Sequence, residues 1–307
     1  MYKISIIIPT YNAAEYLPSL LNMIKKQSLE DYELIIIDSS SKDKTVEIAE
    51  EYTKNIIIIP QSEFDHGGTR AKAAQISKGD ILVFLTQDAL PYDEYAIENI
   101  VNIFEDKSIG AAYGKQVPYK ETSLFGKHLR LFNYNTKSYI RNQDDITKYG
   151  LKTAFLSDSF AAYRKSTLEE IDWFKDGLIL GEDTYAGAKI ILAGYHLAYV
   201  SEAKVYHSHS YTVFQEFKRY FDIGVFHKKE SWILENFGKA EGEGMKYIKS
   251  EIQYLLKNKS WYLLPEFGER NGMKYLGYKL AQNYTKLPKN LIKKISMHHG
   301  WWDKIQK

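Results

Sequence analysis

The chain has no cysteine among its 307 residues. Disulfides, thiolate nucleophiles and cysteine-ligated zinc are thereby excluded, and a reducing compartment is compatible. No stretch approaches the roughly 18 consecutive apolar residues of a membrane-spanning helix. The first apolar run, Ile4 to Ile8 in MYKISIIIPTYN, is too short for the core of a secretory signal, so it reads as a first β-strand and the chain is expected to be soluble or peripheral. PTYNAAEY, after that strand, lacks the glycine-rich phosphate loop that a sugar nucleotidyltransferase would need. A recognised nucleic-acid module is also missing, so no nucleic acid is expected as a partner. With 44% hydrophobic and 26% charged residues, the chain has the usual balance of a folded globular protein.

What is present is an α/β pattern. From the start to about residue 116, β-branched runs (Ile4 to Pro9, Glu33 to Asp38, Ile56 to Pro60, Ile81 to Thr86, Ala111 to Val117) alternate with helical patterns (Glu15 to Gln27, Lys44 to Tyr52, Thr69 to Ser77, Glu94 to Phe104). Such alternation predicts a doubly wound sheet covered on both faces, which is why ELIIID and NIIIIP are continuous apolar runs. In these sheets ligands sit beyond the carboxyl ends of the strands. Polar residues follow the runs directly there: Thr10, Tyr11 and Asn12, then Asp38, then Thr86, Gln87 and Asp88. Tyr119 to Tyr149 has no clear period and suggests a mobile segment or a helical excursion. FAAYRK, a helix from Glu182 to Ala193 and a strand from His196 to Tyr206 follow, and the chain is helical beyond Phe214.

Aromatic residues are abundant, with 25 Tyr, 14 Phe and 5 Trp, a weak pointer to ligand grooves or an interface. Net charge is only +2, yet Arg270 to Lys307 carries nine Lys or Arg against the single acid Asp303. In Pro288 to His299, Leu291, Ile292 and Ile295 share one face and Lys289, Lys293 and Lys294 another. Followed by Trp301 and Trp302, this pattern fits a peripheral contact of 270–307 with an anionic membrane; a solvated basic face over two core tryptophans is the alternative.

Asp88 ends a buried run in FLTQDALP. A carboxylate there suits a hard divalent cation, Mg²⁺ or Mn²⁺, bridging two phosphates, or equally a turn or helix cap. The succession PTYN, ELIIIDSSSKDKT, FDHGGTR, ILVFLTQDA, GEDTYAGAKIILAGYHLAYV and VYHSHS resembles the family 2 glycosyltransferases of the GT-A fold, specifically their bacterial rhamnosyltransferase branch, over about residues 3 to 210. The FDHGGTR and TQDA pair is the more specific part.

The resemblance implies a mixed, mostly parallel GT-A domain over 1–213, with a nucleotide-binding half (1–117) and an acceptor half (118–213), followed by a helical basic region (214–307). It implies an inverting, metal-dependent transferase that moves a sugar from a nucleotide donor, dTDP-L-rhamnose, to a saccharide or lipid-linked saccharide, in the cytoplasm at the inner face of the membrane. Thr10, Tyr11, Asn12 and Asp38 would cradle the nucleoside, with Arg70 near base or phosphate and Gln87 beside them. In DHGG, His66 and the glycines would approach donor sugar or phosphates. Asp88 stands for the last Asp of the family's Asp-x-Asp motif and Thr86 replaces the first, so another metal ligand is needed. His207 matches the position where relatives supply one, with His209 the lesser alternative. Asp183 matches the catalytic base, and Glu182 is its runner-up and an acceptor contact with Asp158. On the residues alone, Glu182 and Asp183 are also favourable charges at a helix start. Many relatives have Gly where this chain has Ser40, which predicts strain there if that position takes positive φ.

Overall fold

The computed structural model describes residues 2–238 and 241–304, without the side chains of Glu241 and Glu243. Two compact units emerge: one of Met1–Tyr119, Tyr134–Asp176 and Glu182–Ser208, the other of Lys120–Asn133, Gly177–Gly181 and His209–Lys307. The sequence reading divides the chain after residue 213; the second unit begins at His209 and also includes 120–133 and 177–181.

The first unit is built on one sheet of nine strands among the described residues: β1 (Ile4–Thr10), β2 (Glu33–Asp38), β3 (Asn55–Ile58), β4 (Ile81–Leu85), β5 (Leu90–Pro91), β6 (Ile109–Val117), β7 (Tyr139–Arg141), β8 (Phe160–Arg164) and β9 (His196–Tyr206). Their order is β3-β2-β1-β4-β8-β6-β9-β5, with β7 also on β9. β1 to β4 pair in parallel, as the apolar runs predict. β8 lies antiparallel between β4 and β6, which makes the sheet mixed. Burial on both faces explains the runs: Ile6 and Ile8 join Val83, Leu85 and helix residues Leu20, Leu21 and Ile24 in one core, while Ile7 is equally buried outside that cluster. Fully burying one such side chain stabilises by about 1.5–3 kcal/mol, so a polar residue inside these runs would be costly.

The aperiodic stretch after Tyr119 holds helix Leu124–Asn133, strand β7 and the short helix Ile146–Tyr149. Within the second unit, helices Val213–Lys229 and Leu264–Ala281 approach so closely that a Cβ on Gly224 would lie 2.6 Å from Ala281 Cβ, and one on Gly277 2.4 Å from the Phe217 carbonyl. Thr212 and Gln215 cap the start of the first of these helices reciprocally.

The basic tail departs from the membrane expectation. Trp301 and Trp302 are buried, as are Ile292 and Ile295 of helix Lys289–Ile295, while Leu291 is exposed. Ile292, Ile295 and both indoles are committed to the unit's own core, so they are not free to enter a bilayer boundary; Lys307 lies outside the described residues. No described helix is long and apolar enough to cross a membrane.

Candidate functional site

Around the first strand exit, Thr10 Oγ1 and Ser41 Oγ both donate to Asp38 Oδ2, at 2.9 and 2.6 Å, and the Ser41 N–H donates to Oδ1 at 2.8 Å. The fully buried Asp38 therefore ties β1 to the loop after β2. Asn12 and Ser40 sit in the left-handed region, φ +48° and +57°, at about 1–2 kcal/mol each for a residue with a Cβ. That is the strain anticipated at Ser40, whose Oγ donates to the Ile59 carbonyl at 2.8 Å. Asn12 Oδ1 accepts from the Lys42 N–H, at 2.9 Å.

Gln87 joins the exits of β4 and β1: its Oε1 accepts from the Tyr11 N–H at 2.9 Å and its Nε2 donates to the Tyr11 carbonyl at 3.3 Å. The Tyr11 hydroxyl accepts from Gln61 Nε2, at 2.7 Å. Thr86 Oγ1 is buried without a hydrogen-bond partner among the described residues.

FDHGGTR forms the start of helix His66–Ile76, whose cap is Asp65, accepting from the Gly68 N–H at 2.7 Å. The close approach allowed by Gly67 is to the protein itself, since a Cβ there would lie 1.9 Å from the Lys175 carbonyl. His66 is half-buried, its ring edge-on to Phe64 at 5.0 Å and its carbonyl accepting from Arg70 Nη1 at 2.9 Å.

Arg70 is buried, and its guanidinium pairs with carboxylates: Nε lies 3.2 Å from Asp158 Oδ2 and Nη1 3.0 Å from Glu182 Oε1. Burial disfavours its charge, but Glu182, Asp158 and Asp183 outweigh that and hold it firmly protonated. Asp158, fully enclosed and bonded by the Tyr163 hydroxyl at 2.5 Å, is pushed above the usual carboxylate range by burial and by Asp183 and Glu182. Asp183 keeps part of its surface open. Burial of its surroundings and the Glu182 charge raise it to about 6, against the Thr184 N–H that donates to its Oδ1 at 2.6 Å. A carboxylate that is open, raised and still ionised at neutral pH is fitted to take up a proton.

At the far ends of β4 and β9, His207 Nε2 stands 3.5 Å from Asp88 Oδ2. His207 Nδ1 meets Gln116 Oε1 at 3.0 Å, and Gln116 Nε2 donates to Ser157 Oγ at 2.9 Å. Gln116 thus accepts from Nδ1–H, which leaves Nε2 as the ring nitrogen facing the Asp88 carboxylate. With its other ring nitrogen anchored, His207 belongs with Asp88 to a group of side chains that could hold a metal ion. His209 follows at the beginning of the second unit, its ring against Tyr211 at 5.5 Å.

Against this geometry, the glycosyl transferase family 2 model matches residues 5–172. The chain belongs to glycosyl transferase family 2. The O-antigen chain rhamnosyltransferase RfbN of Salmonella typhimurium is 47% identical over 307 residues, covering 99% of this chain and 97% of that protein. WbaN of Salmonella anatum, also an O-antigen chain rhamnosyltransferase, is 46% identical, covering 100% and 98%. Among solved structures, the mannosyltransferase PcManGT from Pyrobaculum calidifontis, in complex with GDP-Man and Mn²⁺, superposes with TM-score 0.66 at 15% identity over 93% of this chain and 88% of that one. Staphylococcus aureus TarS 1–349 with UDP-GlcNAc gives 0.55 at 16% identity over 92% and 91%. These are GT-A glycosyltransferases, and the fold of this family 2 enzyme is theirs.

The sequence reading missed Gln116 and Tyr163, the residues that orient His207 and hold Asp158. A signal existed for Gln116: a glutamine inside IGAAYGKQV, a strand otherwise fit for burial, needs buried partners.

Proposed function

We propose that this enzyme transfers L-rhamnose from dTDP-L-rhamnose, with inversion, to a hydroxyl of a saccharide acceptor, lipid-linked and presented at the cytoplasmic face of the membrane, in the assembly of a cell-surface polysaccharide. The observation that carries the chemistry is the Asp88–His207 pair at the strand ends, 3.5 Å apart with Nδ1 anchored. The sugar follows from the end-to-end likeness to two rhamnosyltransferases.

Asp88 and His207 would hold Mg²⁺ or Mn²⁺. The cation, when bound, neutralises charge on the diphosphate. Thr10, Tyr11, Asn12, Asp38 and Gln87 form the nucleoside end, where backbone groups braced by Asp38 and Gln87 meet base and ribose. His66 and Thr86 face the phosphates and sugar. Asp183 accepts the acceptor's hydroxyl proton as that oxygen bonds to the anomeric carbon; the bond from that carbon to the diphosphate breaks on the opposite face, and dTDP leaves with the electron pair. Arg70 holds Glu182 and Asp158 in place around the base.

Incubation of the protein with Mn²⁺, an acceptor and each of dTDP-rhamnose, UDP-glucose, UDP-GlcNAc and GDP-mannose tests this reading through nucleoside diphosphate release. Fastest turnover with dTDP-rhamnose, abolished by chelator, is expected. Preference for another donor removes the rhamnosyl assignment, and full activity in excess chelator removes the metal.

A further inference from the structure

Helix Leu264–Ala281 carries its polarity the wrong way round for a helix that faces water. Its buried side holds Arg270 and Lys274, both paired with Glu216 of helix Val213–Lys229, at 3.2 and 3.4 Å. Arg270 also meets Glu266 at 2.6 Å. The exposed side runs through Pro265, Gly268, Gly272, Tyr275, Leu276 and Lys279, whose three- and four-residue spacing sets them along one stripe.

The residues just before this helix extend the stripe. Helix Glu241–Lys257 ends in the exposed Leu256 and Lys257, Lys259 follows exposed, and the single turn Trp261–Leu263 presents Trp261 and Tyr262. Trp261 is 69% exposed, Tyr262 63% and Tyr275 65%, whereas Trp301 and Trp302 are 8% and 7% exposed. Lys279 Nζ lies 5.5 Å from the Tyr275 ring centroid. All of these residues belong to the second unit, so the face is a property of that unit by itself.

We propose that this face, from Leu256 to Lys279, is the surface by which the enzyme rests on a bilayer of anionic phospholipid. Tryptophan and tyrosine join an apolar body to a polar edge, which suits the boundary between headgroups and acyl chains. Lys257, Lys259 and Lys279 border the aromatic residues, with Glu269 at the edge of the stripe, so the charge balance favours an anionic surface. The ion pairs of Arg270 and Lys274 hold the helix with its apolar stripe outward, and no described helix can cross a membrane, so this one lies in the interface plane. The membrane contact that the sequence pattern assigns to Trp301 and Trp302 moves to Trp261 and Tyr262. Docking of this kind requires neither the donor, the metal nor the base of the proposed function, and rests on that reading only for the lipid-linked acceptor it would bring within reach.

The test is sedimentation of the full-length enzyme with vesicles of phosphatidylcholine alone and of phosphatidylcholine mixed with phosphatidylglycerol. The parent is expected to sediment with the mixed vesicles and more weakly with the neutral ones. Trp261→Ser/Tyr262→Ser should lower partition by at least about tenfold, because the apolar area that enters the interface is lost. Lys257→Gln/Lys259→Gln should lower partition to mixed vesicles on the order of tenfold, since each lysine near an anionic surface contributes about fivefold, and leave neutral vesicles unaffected. Tyr95→Ser, at an exposed position of the first unit, should sediment as the parent does. Failure of dTDP-rhamnose turnover would remove the donor reading without touching vesicle binding, and the converse holds.

A parent enzyme that stays in solution beside the mixed vesicles overturns the proposal, as does a Trp261→Ser/Tyr262→Ser enzyme that sediments like the parent. An equal loss in Tyr95→Ser, or unchanged partition of the lysine variant to mixed vesicles, also overturns it. Light scattering addresses the rival occupant: a parental dimer that Trp261→Ser/Tyr262→Ser turns into a monomer, without vesicle binding, makes the face a contact between copies of the chain. Should that variant not fold, Tyr275→Ser/Leu276→Ser takes its place with the same expected loss, and parental partition there is equally decisive against the surface.

Discussion

His207 Nε2 faces the Asp88 carboxylate at 3.5 Å because Gln116, on the neighbouring strand β6, accepts from the opposite ring nitrogen at 3.0 Å. Gln116→Leu keeps approximate size and removes the acceptor, so Mn²⁺ affinity should fall by about 10–100-fold, the usual cost of losing such a partner. Titration of activity against free Mn²⁺ measures it; an unchanged midpoint means that Gln116 does not orient the metal site.

The proposal that Asp183 is the base makes a pH–rate prediction. As base its carboxylate would have to be ionised, and it is raised to about 6 by burial and Glu182. The rate should rise with pH through about 6 and level off above it, and Asp183→Asn should lower kcat by about 10²-fold or more. The stability effect has the opposite sense. A carboxylate raised on folding binds protons more tightly in the native state, so its contribution is present below about 4 and lost as pH rises through about 6. At pH 7.5 the Asn variant should therefore melt no lower than the parent. Melting curves at pH 5 and 7.5 check the sign, and Glu182→Gln should be measured beside them.

Arg70 neutralises a set of three carboxylates from within the fold. Replacement by Met removes the cation while Asp158 and Glu182 stay buried, and breaking such a pair costs about 3–5 kcal/mol. The variant should melt markedly lower, and whatever activity remains should show its acid limb displaced to higher pH, because Arg70 lowers Asp183. An acid limb that does not move means that the ion pairs have no influence on the base.

Gly67 and Gly68 differ in what stands beside them. A Cβ on Gly67 would collide with the Lys175 carbonyl at 1.9 Å, whereas one on Gly68 would meet Asp176 Cβ at 3.3 Å. Gly67→Ala should destabilise by about 1–3 kcal/mol or more, as overpacking does, and Gly68→Ala by clearly less. Equal melting temperatures for the two variants would contradict the close approach.

Several of the residues proposed for the site could be read from chain order because each lies just past an apolar run. Thr10, Asp38 and Asp88 are where strands emerge from a sheet buried on both faces, and that burial is itself a property of local sequence. Ser40 was legible for a different reason: a residue with a Cβ stands where a backbone turn calls for glycine. Asp183 and His207 were located by resemblance, since a carboxylate at a helix start and a histidine at a strand end have ordinary structural explanations.

Local sequence thus determined the strands β1 to β4, their apolar runs and the polar residues at their ends, because side-chain burial imposes a pattern on neighbouring positions. Tertiary structure alone decided the rest. FAAYR carries no mark of running antiparallel between β4 and β6, since a strand buried on both faces looks alike in either direction. DHGG did not announce that its tight approach is to the Lys175 carbonyl, and Arg70 could not disclose three carboxylate neighbours drawn from distant parts of the chain. Lys289 to Ile295 with Trp301 and Trp302 has the pattern of a membrane-facing helix; whether its apolar side meets lipid or protein depends on what the fold sets against it. Here Asp222 ties the turn before Trp301 to helix Val213–Lys229, and both indoles are buried in the protein.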